Sequence, residues 1–377
     1  MYPKLHDMIN DLFGTSIQTP IQTFGFFMAL GFVAGTLWLT YAFKFKERKG
    51  IFKSYEKETT IGEPASLVEI ITNAIVGFLI GFKLLPAITN YSDLVSNPQA
   101  FLMSTQGSLV GGIVLAVALA GWKYYSAEKA KLPKPKKVKE TVRPHQMVGD
   151  IIGVAAITGV LGSKLLSILE SFDEFLLDPV GMLLSFSGLT FYGGLIAGFI
   201  GVAWYVRKHK NSINFIHMLD VAAPALIIGY AIGRLGCHFS GDGDWGAPNL
   251  LANPGLPDWL WAYDYPNNVL GRGIPVTLED GSVIKKLAEP VWPTPVYENI
   301  MGTGIFAFLA FLFHKITVPG ILFSIYLMIN GLERFLIEFV RVNERYAFNF
   351  SLSQFIALGL IAAGAISFAF FWRRFKN

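Results

Sequence analysis

The sequence predicts an all-α polytopic membrane protein of about nine transmembrane helices, with a small external loop and β-hairpin as a cap. Two observations carry that fold class. The 377 residues are 53% hydrophobic and only 15% charged, with a mean hydropathy of +0.46, well above soluble globular chains. The apolar residues also gather into runs long enough for a hydrocarbon core of about 30 Å, which takes about 20 helical residues.

In chain order the runs lie near 21–43, 67–89, 108–126, 148–169, 188–206, 217–237, 296–315, 319–341 and 352–372. Basic blocks follow the first (Lys44, Lys46, Arg48, Lys49), third (Lys129, Lys131, Lys134, Lys136, Lys137) and fifth (Arg207, Lys208, Lys210) and close the chain (Arg373, Arg374, Lys376). The connections 90–107 and 170–187 hold no lysine or arginine. By the positive-inside rule the N-terminus is expected outside and the C-terminus in the cytoplasm, which an odd number of spans satisfies. Positive charge follows the first run and no small-residue cleavage pattern appears, so that run reads as a span and not as a cleaved signal peptide.

Four segments follow: N-terminal helices over 1–144, core helices over 145–237, an external cap loop over 238–295, and C-terminal helices over 296–377. Within the first two, IITNAIVGFLIGFKLLPAI from Ile70 is similar to IIGVAAITGVLGSKLLSIL from Ile151, with Gly81, Lys83, Leu84 and Leu85 matching Gly162, Lys164, Leu165 and Leu166. A Lys-Glu-Thr triplet precedes each (Lys57 to Thr59, Lys139 to Thr141), so a two-helix unit reads as duplicated. Chance likeness between two glycine-containing helices is the alternative.

Several classes drop out. The single cysteine, Cys237, excludes an intramolecular disulfide and cysteine metal clusters, and the six histidines show no ligand spacing, so neither metal nor cofactor is expected. The net charge of +4 is accounted for by blocks beside the spans, so no nucleic-acid partner is expected.

Ionisable groups inside a bilayer are costly and point to function. In SIYLMINGLERFLIEFVR, Asn330, Arg334, Glu338 and Arg341 fall on one stripe of a continuous helix. Counted from Pro319 at 1.5 Å per residue, Arg334 is expected roughly 10 Å beneath the outer boundary. In GYAIGRLGCHFSGDGDWG, Arg234 reaches the same outer third, with His238 one turn beyond and a glycine-rich acidic loop after it. GLTFYGGLIAG brings Tyr192, Gly193 and Gly194 to the outer end of another span. Taken singly, Arg334 with Glu338 serves equally as an ion pair holding the bundle, and Arg234 as a snorkelling side chain. Two arginines, an acid and an acidic loop at one depth point instead to a site. Guanidinium groups at headgroup level suit bidentate contact with phosphate, and a lipid phosphodiester is the phosphate at that depth. The cap holds Trp245, Trp259, Trp261, Tyr263, Tyr265 and Trp292, as interfacial anchors or substrate contacts, and Asp280-Gly281 in VTLEDGSVIKK marks a β-hairpin.

These motifs, in order GLTFYGGLIAG, LDVAAPALIIGYAIGRLGCHFSGDGDWG, WPTPVYE and GLERFLIEFVR, resemble those of the prolipoprotein diacylglyceryl transferase family from about residue 145 onward, and IQTFGFFMALGF resembles its first-helix motif. The resemblance implies an inner-membrane enzyme that moves the diacylglyceryl group of phosphatidylglycerol onto the lipobox cysteine of a prolipoprotein, leaving glycerol phosphate. It implies a seven-helix core, to which the duplicated pair adds two. Arg234 and Arg334 match the family's essential arginines, Glu338 and Arg341 the acid and base that follow, and Tyr297 and Glu298 the end of another motif. The chain departs from the family at Tyr192, where a histidine is usual, at Cys237, where an asparagine is usual, and at Phe24, where a tyrosine is usual. Either Asp242 or Asp244 takes the position of a loop glutamate.

The mechanism so implied has Arg234 and Arg334 holding the lipid phosphate while the substrate thiol attacks the glycerol carbon. Tyrosine is a poor base at neutral pH, which makes His238 the candidate base. A small buried cysteine usually packs, so Cys237 is not expected to be a nucleophile. Two rivals stand beside this reading: a lipid transporter, which would need polar groups in the cytoplasmic half as well, and a catalytically silent homologue binding phospholipid or lipoprotein precursor.

Overall fold

The computed structural model describes residues 1–185, 190–279 and 281–375. The first residues of the expected fifth span, Asp280 of the expected hairpin turn and Lys376 lie outside the described residues. The helices in chain order are α1 (Leu5–Phe13), α2 (Thr23–Arg48), α3 (Leu67–Thr89), α4 (Tyr91–Ser96), α5 (Pro98–Met103), α6 (Leu109–Ala130), α7 (Val148–Glu170), α8 (Phe172–Leu177), α9 (Pro179–Leu184), α10 (Phe191–Lys208), α11 (Phe215–Ser240), α12 (Asp258–Trp261), α13 (Thr294–Lys315), α14 (Ile321–Ile337) and α15 (Leu352–Phe375). Four strands form two antiparallel pairs, β1 (Tyr55–Ile61) with β2 (Lys136–Val142) and β3 (Ile274–Thr277) with β4 (Val283–Lys286).

Each expected span holds an α-helix among the described residues. Among the described residues seven helices are long and apolar enough to cross a membrane, and the chain is a multi-pass membrane protein. The remaining two, α10 with 18 residues and α14 with 17, are shorter. The long helices turn apolar side chains outward, as lipid contact requires: Leu79 on α3, Val114 on α6, Leu165 on α7 and Ile366 on α15 are more than half exposed.

The chain forms two compact units, one of residues 1–53, 144–152 and 203–377, the other of 54–143 and 153–202. In the first, α11 packs against α2 and α13, and α14 against α13 and α15. Small residues let these backbones close up: a Cβ on Gly31 would lie 2.9 Å from the Gly229 carbonyl oxygen, and one on Gly331 2.7 Å from that of Ala357. Asn214 caps the start of α11 by accepting from the Ile216 and His217 amides, and Gly241 ends it in the left-handed conformation, φ 64°. Asp220, buried on α11, accepts from the Gly320 and Phe323 amides at 2.7 and 2.9 Å and so caps the N-terminus of α14. The segment 241–293, between α11 and α13 and within the expected 238–295 cap, holds the expected β3–β4 hairpin and an aromatic cluster that includes Trp245, Tyr263 and Tyr265.

The second unit holds the repeat, which is longer than the two helices expected from sequence. α3, α4, α5 and α6 run long, short, short, long, and α7, α8, α9 and α10 do the same. Lys83 donates to the Ser104 carbonyl and hydroxyl oxygens, and Lys164 makes the same two bonds to Ser185. Asn97 and Asp178 cap the second short helix in each copy. A Cβ on Gly81 would meet the Gly111 carbonyl oxygen at 2.2 Å, and one on Gly162 that of Gly193 at 2.5 Å. The two Lys-Glu-Thr triplets fall on β1 and β2, where Lys57 opposes Glu140 and Glu58 opposes Lys139, so charges alternate across the ladder.

Candidate functional site

Within the first unit, α11, α13, α14 and the cap bring charged side chains together. α11 contributes Tyr230 and Arg234 one turn apart, with the guanidinium 5.0 Å from the tyrosine ring centre. α13 begins at Thr294-Pro295, where proline suits the first turn, and delivers Glu298 with no exposed surface. The Thr294 hydroxyl donates to the Asp244 carbonyl at 2.7 Å, tying the cap loop to that helix start. Gly246 is needed beside it, because a Cβ there would lie 2.4 Å from the Val340 carbonyl oxygen.

Glu298 is the centre of the cluster. Its Oε1 accepts from Arg334 at 3.1 Å, from Arg341 at 3.5 Å and from the Tyr230 hydroxyl at 3.0 Å, and its Oε2 lies 3.3 Å from Arg234 Nε. Asp244 accepts from Arg341 at 2.7 Å and from Arg234. Burial pushes the Asp244 carboxyl up, but the Arg234 and Arg341 guanidinium groups more than offset this and hold it below the usual carboxylate range. Glu338, fully buried, pairs with Arg334 at 3.4 Å and accepts from Asn343. Three guanidinium groups from two helices and the following turn thus share carboxylates in a partly exposed place, an arrangement able to receive an anion.

The position of Arg341 corrects the sequence expectation. α14 ends at Ile337 and a 3-10 turn spans Glu338–Val340, so the four polar residues do not form one continuous helical stripe. Arg345, which donates to the Glu338 carbonyl at 3.0 Å and to Gln354 at 3.0 Å, holds the turn that redirects the chain. Arg341 still reaches the cluster, from the turn instead of the helix.

The other expected residues fall as follows. Of the two loop aspartates, Asp244 joins the guanidinium groups, whereas burial pushes the Asp242 carboxyl up beside Cys237. His238 is buried among the rings of Phe239, Tyr263 and Tyr265, with Nδ1 3.3 Å from the Tyr265 hydroxyl, so its polar contact is with the cap and not with the guanidinium cluster. Tyr297 donates to the Leu260 carbonyl at 2.6 Å. Tyr192, Gly193 and Gly194 belong to the second unit, where Gly193 closes against Gly162. Cys237 is buried. With Asp242 and Asp244 it makes the one grouping of metal-ligand type among the described residues, but two guanidinium groups already occupy Asp244 and oppose a cation there. Two members were missed in the sequence: Tyr230 and Glu333, whose carboxyl Oε1 lies 3.4 Å from the Tyr230 hydroxyl.

Fold and cluster together define an α-helical multi-pass membrane protein with a buried network of guanidinium and carboxylate groups. The chain belongs to the prolipoprotein diacylglyceryl transferase family, whose model matches residues 112–370. Among its relatives, the phosphatidylglycerol–prolipoprotein diacylglyceryl transferase of Dehalococcoides mccartyi is 31% identical over 226 residues, 59% of this chain and 76% of the relative. The protein of that name from Leptospira interrogans is 27% identical over 303 residues, 65% of this chain and 85% of the relative. That from Aeromonas salmonicida is 28% identical over 237 residues, 61% and 74%.

Proposed function

We propose that this protein transfers the diacylglyceryl group of phosphatidylglycerol to the lipobox cysteine thiol of prolipoproteins, in the outer half of a bacterial inner membrane, with its N-terminus outside and its C-terminus cytoplasmic. Family membership supports the activity, and the blocks of lysine and arginine support the orientation. The observation that carries the site is the convergence of Arg234, Arg334 and Arg341 on the buried Glu298.

In this reading Arg234 and Arg334 bind the lipid phosphate, helped by Arg341, while Asp244, Glu298 and Glu338 hold the guanidinium groups in place. The substrate thiol gives up its proton, which ends on the departing glycerol phosphate, and its sulfur bonds to the lipid glycerol carbon as the carbon–oxygen bond to phosphate breaks. The electron pair leaves with glycerol phosphate, where the same arginines stabilise it. Tyr297 is proposed to contact the lipid, and Cys237 is not a nucleophile. No metal, cofactor or nucleic acid takes part in these steps.

The test is purified protein with phosphatidylglycerol and a lipobox peptide, read as thioether product. Arg234→Ala and Arg334→Ala are each expected to lower turnover by about 100-fold or more. Absence of product from the parent protein would favour the silent homologue, and full activity in both variants would remove the proposed roles.

A further inference from the structure

Glu333 is a buried carboxyl of the cluster that forms no ion pair among the described residues. It is 4% exposed, among the described residues no lysine, arginine or histidine approaches it within ion-pair distance, and its Oε2 has no hydrogen-bond partner. Its acidic neighbours differ: Glu298 faces three guanidinium groups, Asp244 two and Glu338 one. Glu333 shares only the Tyr230 hydroxyl, which lies 3.0 Å from Glu298 and 3.4 Å from Glu333. One hydroxyl carries one proton and cannot donate to both carboxylates. While Glu333 is ionised the conflict stands, and a proton taken up there resolves it, because Glu333 then donates to the Tyr230 oxygen while Tyr230 donates to Glu298.

The charge balance gives this arrangement a use, on the reading that the site takes a lipid phosphodiester. Three guanidinium groups face four carboxyl groups, and Arg345 nearby is committed to the Glu338 carbonyl oxygen and Gln354. Even with Arg345 counted, an entering phosphodiester anion leaves the cluster with excess negative charge. Buried excess charge is relieved by taking up a proton, and the carboxyl that forms no ion pair is where it goes at least cost. The groups facing Glu333 are Tyr230 and Arg234 from α11, Glu298 from α13, and Arg334 and Tyr326 from its own helix. α15, packed on the other side, has no titratable side chain before Arg373.

We propose that Glu333 takes up the proton that accompanies the lipid phosphate into the site, acting through Tyr230 on Glu298 as a positioning residue that frees the guanidinium groups for the anion. The uptake balances as one proton from solvent gained by the Glu333 carboxylate per phosphodiester bound, without any bond to the lipid being made or broken.

Binding is measured by calorimetry on the full chain in a phosphate-free maltoside detergent, without peptide, in two buffers of different ionisation enthalpy from about pH 6 to about pH 9. The parent is expected to take up protons with phosphatidylglycerol, approaching one at the alkaline end, and none with diacylglycerol, which lacks the phosphate. In Glu333→Gln the lipid still binds and the uptake disappears. In the peptide assay the parent KM for phosphatidylglycerol rises by up to about tenfold per pH unit in the same range, and that of Glu333→Gln stays flat. Lipid binding by the parent with no proton exchange overturns the proposal even if the variant cannot be purified, and so does unchanged uptake in Glu333→Gln. A parent that does not bind phosphatidylglycerol overturns the transferase reading instead.

Discussion

Replacing Glu298 by glutamine removes the one carboxylate that all three arginines share and keeps the side chain's size. The carboxylate has no exposed surface and lies 3.1, 3.3 and 3.5 Å from Arg334, Arg234 and Arg341. Removing one partner of a buried ion pair costs about 3–5 kcal/mol, because charge is left behind uncompensated. Here the guanidinium groups keep between 11% and 25% of their surface and two retain Asp244, so the lower end, about 3 kcal/mol, is expected. Tyr230→Phe is the control, since it deletes one hydroxyl bond to the same carboxylate, worth about 1 kcal/mol. Denaturant unfolding in detergent, followed by tryptophan fluorescence, separates the two. Added phosphatidylglycerol should narrow the gap between Glu298→Gln and the parent, because its phosphate supplies the missing anion. A Glu298→Gln protein no less stable than Tyr230→Phe, with full transfer activity, would refute the reasoning.

Three further outcomes are expected. Asp244 has a folded-state pKa depressed by Arg234 and Arg341, so its contribution is present above its unfolded value of about 3.8 and is lost as pH falls through the lower folded value; unfolding midpoints measured below about pH 4 should fall more steeply for the parent than for Asp244→Asn. His238→Ala should lose about 1 kcal/mol with the Tyr265 contact yet keep the parent pH–rate profile, and a shifted profile would bring His238 into proton transfer. Gly162→Leu should cost about 1–3 kcal/mol, because even its Cβ would lie 2.2 Å from Ala197 Cβ and 2.5 Å from a backbone oxygen, whereas Gly153→Leu, with nothing within 4 Å of that atom, should unfold like the parent.

The helices were legible because apolar runs of spanning length leave a backbone in lipid few alternatives. Arg234 and Arg334 stood out because charge in such runs is rare, and Asp280-Gly281 between alternating residues marked the hairpin that β3 and β4 form. The turn after Ile337 was not legible. Its stop is set by Asn343 and Arg345 reaching back to Glu338, contacts that residue periodicity does not encode. Tyr230 escaped notice because one tyrosine in an apolar run is ordinary in a membrane helix. Glu333 does leave a signal, a second carboxyl in the run that holds Glu338, but it lies off the stripe that Asn330, Arg334 and Glu338 define. The β1–β2 ladder joins segments far apart in sequence that read only as basic connections.

The two copies of the repeat separate what the fold needs from what it does not. Both keep the lysine that donates to a serine carbonyl and hydroxyl, the cap of the second short helix, and the glycines at which the long helices close: Gly81 with Gly111, and Gly162 with Gly193. Aligned on Gly111-Gly112 and Gly193-Gly194, the residue before the pair is Val110 in one copy and Tyr192 in the other. Val110 is 69% exposed and Tyr192 42%, and the same helix closure forms beside each. Closure therefore does not require a polar group there, since an aliphatic side chain serves the first copy. Packing accounts for the glycines and the lysines and leaves the residue before each pair free to differ, so an aromatic ring at the end of a span, as the membrane interface favours, is compatible with the same closure.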